Sequence, residues 1–335
     1  MTSQLHPDHR LWIEKASDRF SVPVWVGTLV FFGGLFLAFA AFHLLVGAWQ
    51  YFLSQLIFSL ALLIPLEAFF LLGAVYIRRK VSSLEIYAQS MVSDGQSVSD
   101  TITRLASWGP LLVVWIAIDI VLSIPFISGP EQGLTQFQSW ATQPAWFLSM
   151  LTVATCLWTW GYSMVGIYRI GKLPMKLVPF AKDRTLGLKP FASASLRLSG
   201  FYYTFVLVLI IQDFSFGSLP LYNIVRESAL VLLGLVLFLL PLLSLHGKLS
   251  QKKSEEMHWI NERYARIMER VKSAGDSPLG QDLQGELLGI DKIQRDIRSI
   301  RTWPFDAGAI AKVATIFFSV TAILLSKVLS QYLRI

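Results

Sequence analysis

Seven separate runs of apolar residues, each about 20 long, constrain this chain more than any other feature, because a helix of that length crosses the roughly 30 Å hydrocarbon of a bilayer. The runs occupy residues 24–47, 52–77, 111–127, 146–167, 198–216, 229–245 and 307–329. Barrel strands would instead alternate in polarity over about ten residues. A chain that is 54% hydrophobic and 15% charged also has too little polar surface for water to be its main solvent. The expected fold is therefore an all-α polytopic membrane protein with seven transmembrane helices. A polar leader precedes the first run and no small-residue cleavage pattern follows it, so that run is expected to remain as a span.

Charge sets the expected orientation. Of 29 Lys and Arg, 25 fall on one side of the apolar runs: Arg10, Lys15 and Arg19; Arg78, Arg79, Lys80 and Arg104; those between Arg169 and Arg197; and those between Lys248 and Arg301. The positive-inside bias places the N-terminus in the cytoplasm, and an odd number of spans places the C-terminus outside. The net charge of +7 is thereby read as orientation and not as nucleic-acid binding. The expected layout is a cytoplasmic leader at 1–23, then a six-helix membrane domain at 24–247 with cytoplasmic loops at 78–108 and 168–197. A cytoplasmic helical anchor at 248–302 and a terminal membrane helix at 303–335 complete it.

Within this layout the first two runs are close enough to form a tight hairpin, with Trp49 and Tyr51 at the interface. Pro65, Pro125 and Pro241 interrupt spans two, three and six, where each removes a backbone donor and can kink its helix. The anchor reads as two helices. Met257, Ile260, Tyr264, Ile267 and Val271 recur at steps of three and four, as do Leu283, Leu287, Ile290, Ile293, Ile297 and Ile300. Two packings satisfy these stripes: an intrachain αα-hairpin, or a small bundle across subunits.

In the last run, Lys312, Thr315, Ser319, Ala322 and Ser326 share one helical stripe, while the other faces carry Val, Ile, Leu and Phe. Such a face suits a pore, where hydroxyls replace part of an ion's water and apolar faces anchor the wall. It also suits close helix packing with hydroxyls bonded back to the backbone. Lys312 favours water access, although it is close enough to the inner boundary to snorkel. Glu67 and Asp119 both lie about 15 Å deep by residue count. Acidic groups at that depth point to a proton or cation site, or else to a carboxyl hydrogen-bonded to a Tyr, Trp or Ser of another helix. His43 reads as a hydrogen-bonded packing residue.

Trp115, Trp158, Trp160 and Tyr162 are candidates for an aromatic ligand pocket, with core packing the plainer alternative. Trp303, Pro304 and Asp306 fit a hinge at the start of the last helix, with the aromatic ring at the interface, Pro in the first turn and Asp at the positive helix end. The pair His6 and His9 has no matching partner motif, so no metal site is expected. Phosphate loops, nucleophile elbows and paired cysteines are all missing from the sequence, and neither an enzyme nor a cofactor is expected. Cys156 reads as a packing residue.

Seven spans, an inward N-terminus, a long extension after span six and a polar-striped last span together resemble the seven-transmembrane ion channel superfamily of insect odorant and gustatory receptors. The resemblance lies in topology over most of the chain. It implies a homotetramer in a lipid bilayer, with the seventh span lining one central pore and the helical extensions forming an anchor; the permeant ion and any ligand stay open. Residues 183–191 and 302–306 look like recurrent elements of microbial membrane proteins, so a prokaryotic plasma membrane is the expected location. A proton-coupled transporter built on Glu67 and Asp119, and a non-transporting scaffold whose basic helices bind lipid or protein, are the alternative functions.

Overall fold

In hydrocarbon each backbone N–H and C=O must find its partner within the protein, and the long apolar runs do so as helices. A computed structural model describes residues 10–58, 60, 64–92, 98–99, 107–180, 182–215, 221–273, 281–300, 302–303 and 307–332, except 128–135. Its helices are α1 (Trp12–Arg19), α2 (Val24–Leu45), α3 (Trp49–Phe58), α4 (Ile64–Met91), α5 (Trp108–Ile127), α6 (Gln136–Lys172), α7 (Lys189–Ser215), α8 (Leu221–Ser273), α9 (Gln281–Arg298) and α10 (Ala307–Tyr332). Among the described residues the one extended pairing is an isolated bridge between Val92 and Met175. Among the described residues, four stretches are long and apolar enough to cross a membrane: Val24–Leu45, Phe147–Lys172, Lys189–Ile211 and Tyr222–Ser273. Shorter apolar stretches lie at Trp108–Ile120 and Ala314–Ser326. The chain is an all-helical, multi-pass integral membrane protein.

Some expected boundaries move for local reasons. The apolar run at 52–77 is shared between α3 and α4. Pro65 is the second residue of α4; residues 59 and 61–63, between α3 and α4, lie outside the described residues. Pro125 falls in the last turn of α5, and Pro241 is the proline inside α8. At the other end of α4 the helix runs past Arg78, Arg79 and Lys80 to Met91, so part of the expected connector is helical.

The chain divides into two compact units, residues 1–86 with 96–163, and residues 87–95 with 164–335. In the first unit α2 ends in a Schellman turn. Gly47, with φ 72°, takes the left-handed position, and the N–H groups of Gly47 and Ala48 bond the carbonyls of Leu44 and His43. That turn reverses the chain into α3. His43 is buried there, its Nδ1–H on the Phe39 carbonyl at 2.9 Å and its ring parallel to Tyr51. α1 packs against the start of α2, where Gly27 has no Cβ and lets Ser17 approach.

In the second unit α7 and α8 pack closely because Gly234 leaves room for the Tyr202 ring, whose hydroxyl donates to the Leu230 carbonyl at 2.7 Å. α8 has 53 residues, about 80 Å at helical rise, so it extends well beyond any hydrocarbon layer. Its polar end folds against α9. Ile260 and Ile267 pack on Ile290, Ile297 and Ile300, flanked by Met257, Val271, Leu287, Ile293 and Phe180. Within the chain the two stripes thus bury each other as an αα-hairpin. Tyr264, expected in the stripe, is exposed instead, together with Trp259 and Leu288.

The turn between α6 and α7 is held by one carboxylate. Asp183 accepts the backbone N–H groups of Thr185 and Gly187, both at 2.9 Å, and the Thr185 hydroxyl at 2.8 Å. This fixes Leu186 and Gly187 in the left-handed region, φ 53° and 86°, and presents the Gly187 carbonyl to the Tyr87 hydroxyl at 2.8 Å. Partial burial acts to raise the Asp183 pKa, but the hydrogen bonds from Thr185 and Gly187 and the charge of Lys189 outweigh it and hold the carboxyl below its ordinary value. Burial, then the charge of Asp183, pushes the Tyr87 hydroxyl up.

A lowered folded-state pKa means that the Asp183 contribution is complete above the ordinary carboxylate range and drains away as pH falls through that range toward the folded value. Asp183→Ala should cost about 2 kcal/mol at neutral pH, and the difference from wild type should shrink on acidification. Thermal unfolding of both proteins across the acid range checks this.

Candidate functional site

α10 is attached to its own unit by one narrow face. It packs on α7 and α8 through Val320 and Leu324, both buried, and through Phe317, whose ring meets Tyr203 edge to face at 6.2 Å. At 100° per residue the stripe Thr315, Ser319, Ala322 and Ser326 lies roughly on the opposite side, and all four residues are exposed. Phe318 at 66% and Leu325 at 56% flank it. The Thr315 hydroxyl returns to the Ala311 carbonyl at 2.9 Å, so the stripe carries no unbonded donor at that point. Lys312 belongs to the same stripe by register.

The approach to α10 is tied to α8. Trp303 stacks on His246, centroids 4.3 Å apart and planes 21° apart, and His246 Nδ1 bonds the Thr302 carbonyl at 2.7 Å. Since a carbonyl only accepts, Nδ1 carries the proton. Seven residues along α8, Lys253 Nζ donates to the carbonyls of Arg298 and Ile300 at 2.8 and 2.9 Å, which caps the C-terminal end of α9. Pro304 and Asp306 lie outside the described residues. In the same unit Glu227, near the start of α8, is fully buried and pairs with Arg226 at 3.8 Å.

In the first unit Glu67 is 4% exposed and accepts a hydrogen bond from the Ser149 hydroxyl of α6. Asp119, on α5, is half-buried with Oδ1 lacking a hydrogen-bond partner among the described residues. No hydrogen bond joins the two acids. Ser149 opens a row of buried hydroxyls on α6, continued by Thr152, Thr155, Thr159 and Ser163. Thr152, Thr155 and Thr159 return their protons to the backbone of α6, at 2.8, 2.7 and 2.6 Å. Their spacing of three and four is legible in the sequence; the pairing of Ser149 with Glu67 is not.

Of the aromatic candidates, Trp115 stacks on Phe147 at 4.2 Å and donates Nε1–H to its carbonyl at 2.7 Å. Trp115 and Trp158 pack on the same cluster of Leu111, Leu151 and Ala154, to which Trp12 also belongs. Trp158 meets Tyr162 at 5.1 Å, and Trp160 is 1% exposed. Cys156, the single cysteine of the sequence, is also buried. No group of metal ligands occurs among the described residues.

The polar leader contains a feature with no counterpart in the sequence reading. α1 is docked by Glu14, which accepts from Arg78 Nη2 at 2.6 Å and from the Leu11 N–H at 3.1 Å, and by Trp12, whose Nε1–H donates to Thr155 at 2.9 Å. Both charged side chains are about 5% exposed, while Arg79 reaches Glu14 only at 3.8 Å from a solvent-facing position. Arg78 Nε and Nη1 have no partner among the described residues, so Glu14 is the guanidinium's main compensation.

Removing either member of this pair leaves a buried charge alone. Glu14→Gln and Arg78→Met should each destabilise by about 3 kcal/mol, and the double variant by clearly less than the sum. Unfolding of the purified protein in the four-member cycle checks this. No protein-family model, curated protein or solved structure matches the chain.

Proposed function

We propose that the protein is a homo-oligomeric ion channel in which α10 lines the pore. In this reading seven segments span the membrane, with the N-terminus cytoplasmic and the C-terminus outside. Four copies surround one axis, the stoichiometry implied by the topological resemblance to the insect chemoreceptor-like channels.

The observation that carries the reading is the division of α10 into two opposed faces. Val320 and Leu324 bind it to its own subunit, and the hydroxyl and small residues at 315, 319, 322 and 326 point away from that subunit. A stripe meant only for packing within the chain would lie on the buried side. Placed around an axis, this stripe lets hydroxyl oxygens meet a permeating ion, while Phe318 and Leu325 meet neighbouring copies or lipid. The hairpin of α8 and α9 consumes its own apolar stripes, so the exposed Trp259, Tyr264 and Leu288 are left to form the anchor contacts between copies.

Purified protein in planar bilayers should show unitary currents that Ser319→Trp and Ala322→Trp each abolish. A Ser319→Cys variant should lose current on exposure to a charged thiol reagent, with native Cys156 giving no background because it is buried. A protein that is monomeric in native mass spectrometry, or currents unchanged by all three substitutions, overturns the reading.

A further inference from the structure

Glu14 and Glu67 are both buried in the first unit, yet only Glu14 has a cation beside it. Glu67 has one hydrogen-bond partner, the hydroxyl of Ser149, and no cation within ion-pair distance among the described residues. The sequence makes this a property of the whole unit at membrane depth: no Lys or Arg occurs between Arg19 and Arg78, nor between Arg104 and Arg169. A carboxylate held there by a single neutral donor carries an uncompensated charge in a low-dielectric medium, which is prohibitive. Its charge must be cancelled by something exchangeable.

We infer that Glu67 and Ser149 form a reversible proton-binding site at membrane depth. The ligand is a proton and not an alkali cation because the described surroundings offer three side-chain oxygens, two from Glu67 and one from Ser149. Thr152, one turn along α6, gives its own proton to the Ser149 carbonyl at 2.8 Å. A desolvated alkali cation requires a fuller oxygen shell. A purely structural group would need no ionisable atom, since an amide could accept the same Ser149 bond.

Beyond Ser149 the hydroxyls of Thr152, Thr155, Thr159 and Ser163 continue along α6, all buried. Those of Thr152, Thr155 and Thr159 donate to backbone carbonyls and keep lone pairs with which to accept. They set out acceptors about one turn apart, a spacing that a bridging water spans. Among the described residues, the other titratable groups of the unit do not compensate Glu67. Asp119 on α5 and His43 on α2 share no hydrogen bond or ion pair with it, Glu14 and Arg78 hold each other, Glu85 lies on the far side of Arg78 along α4, and Cys156 is a buried thiol of α6. The site lies in the unit that does not contain α10, and it stands or falls independently of the channel reading.

The test uses full-length protein in liposomes and dicyclohexylcarbodiimide, which reacts with protonated carboxyls in apolar surroundings and leaves a stable adduct. Mass spectrometry of the peptide containing Glu67 should show labelling that declines along a one-proton titration curve as pH rises. Excess Na⁺ or K⁺ at fixed pH should leave it unchanged, Glu67→Gln should abolish it, and Ser149→Ala should displace its midpoint. Glu67 that is unreactive at every pH, or equally reactive at every pH, overturns the proposal. Protection by Na⁺ or K⁺ overturns it as well, by making the ligand a metal cation.

Discussion

Hydrocarbon offers a peptide group no partner, and most of what the chain does follows from meeting that demand internally. Helices satisfy the backbone along each run, and the ends and irregularities are where side chains and special residues take over. The Schellman turn at Gly47 closes two carbonyls of α2 before the chain reverses. Lys253 closes two more at the end of α9. Thr and Ser side chains on α6 and α10 bond back to their own helices, so hydroxyls can lie on apolar helices without an orphaned donor.

The same medium sorts the charges. Most Lys and Arg gather in the segments that flank the apolar runs, since a charged head is costly in hydrocarbon. Arg78 departs from this, being buried, and the departure explains α1. A short helix of eight residues would be marginal alone, but Glu14 on it neutralises Arg78 while Ile13 and Ser17 fill the space between. α1 is thus part of the packed unit because a buried guanidinium requires it.

How much of this is legible in the sequence depends on the distance over which the cause acts. Helical identity, the polar stripe of the last helix and the facing stripes of α8 and α9 are periodic signals, readable within a few turns. Tyr264 shows the limit, since it keeps the period yet sits at the edge of the stripe, where an amphipathic ring is stable in water. The run at 52–77 is long enough to read as one span, although the described helices α3 and α4 share it. The Glu14–Arg78 pair joins positions 64 apart, and Glu67 meets Ser149 across 82. Nothing local encodes which helices face each other, so a buried acid announces its need for a partner without naming it.

The second unit adds a mechanical relation between its polar hairpin and its last helix. The carbonyls of Arg298 and Ile300, the Thr302 carbonyl and the Trp303 ring are successive points on the path from α9 to α10, and all are held by α8 through Lys253 and His246. Beyond Trp303, α10 returns to α8 and α7 through Val320 and Leu324. The described residues on either side of 304–306 are thus both held by the same long helix. The Lys253 bonds and the His246 stack are polar and aromatic contacts beside the buried isoleucines of the hairpin, and Ile300 belongs to both. The described link from the hairpin toward the last helix is thus a set of hydrogen bonds and one ring stack, whereas the hairpin itself is held by a packed apolar core.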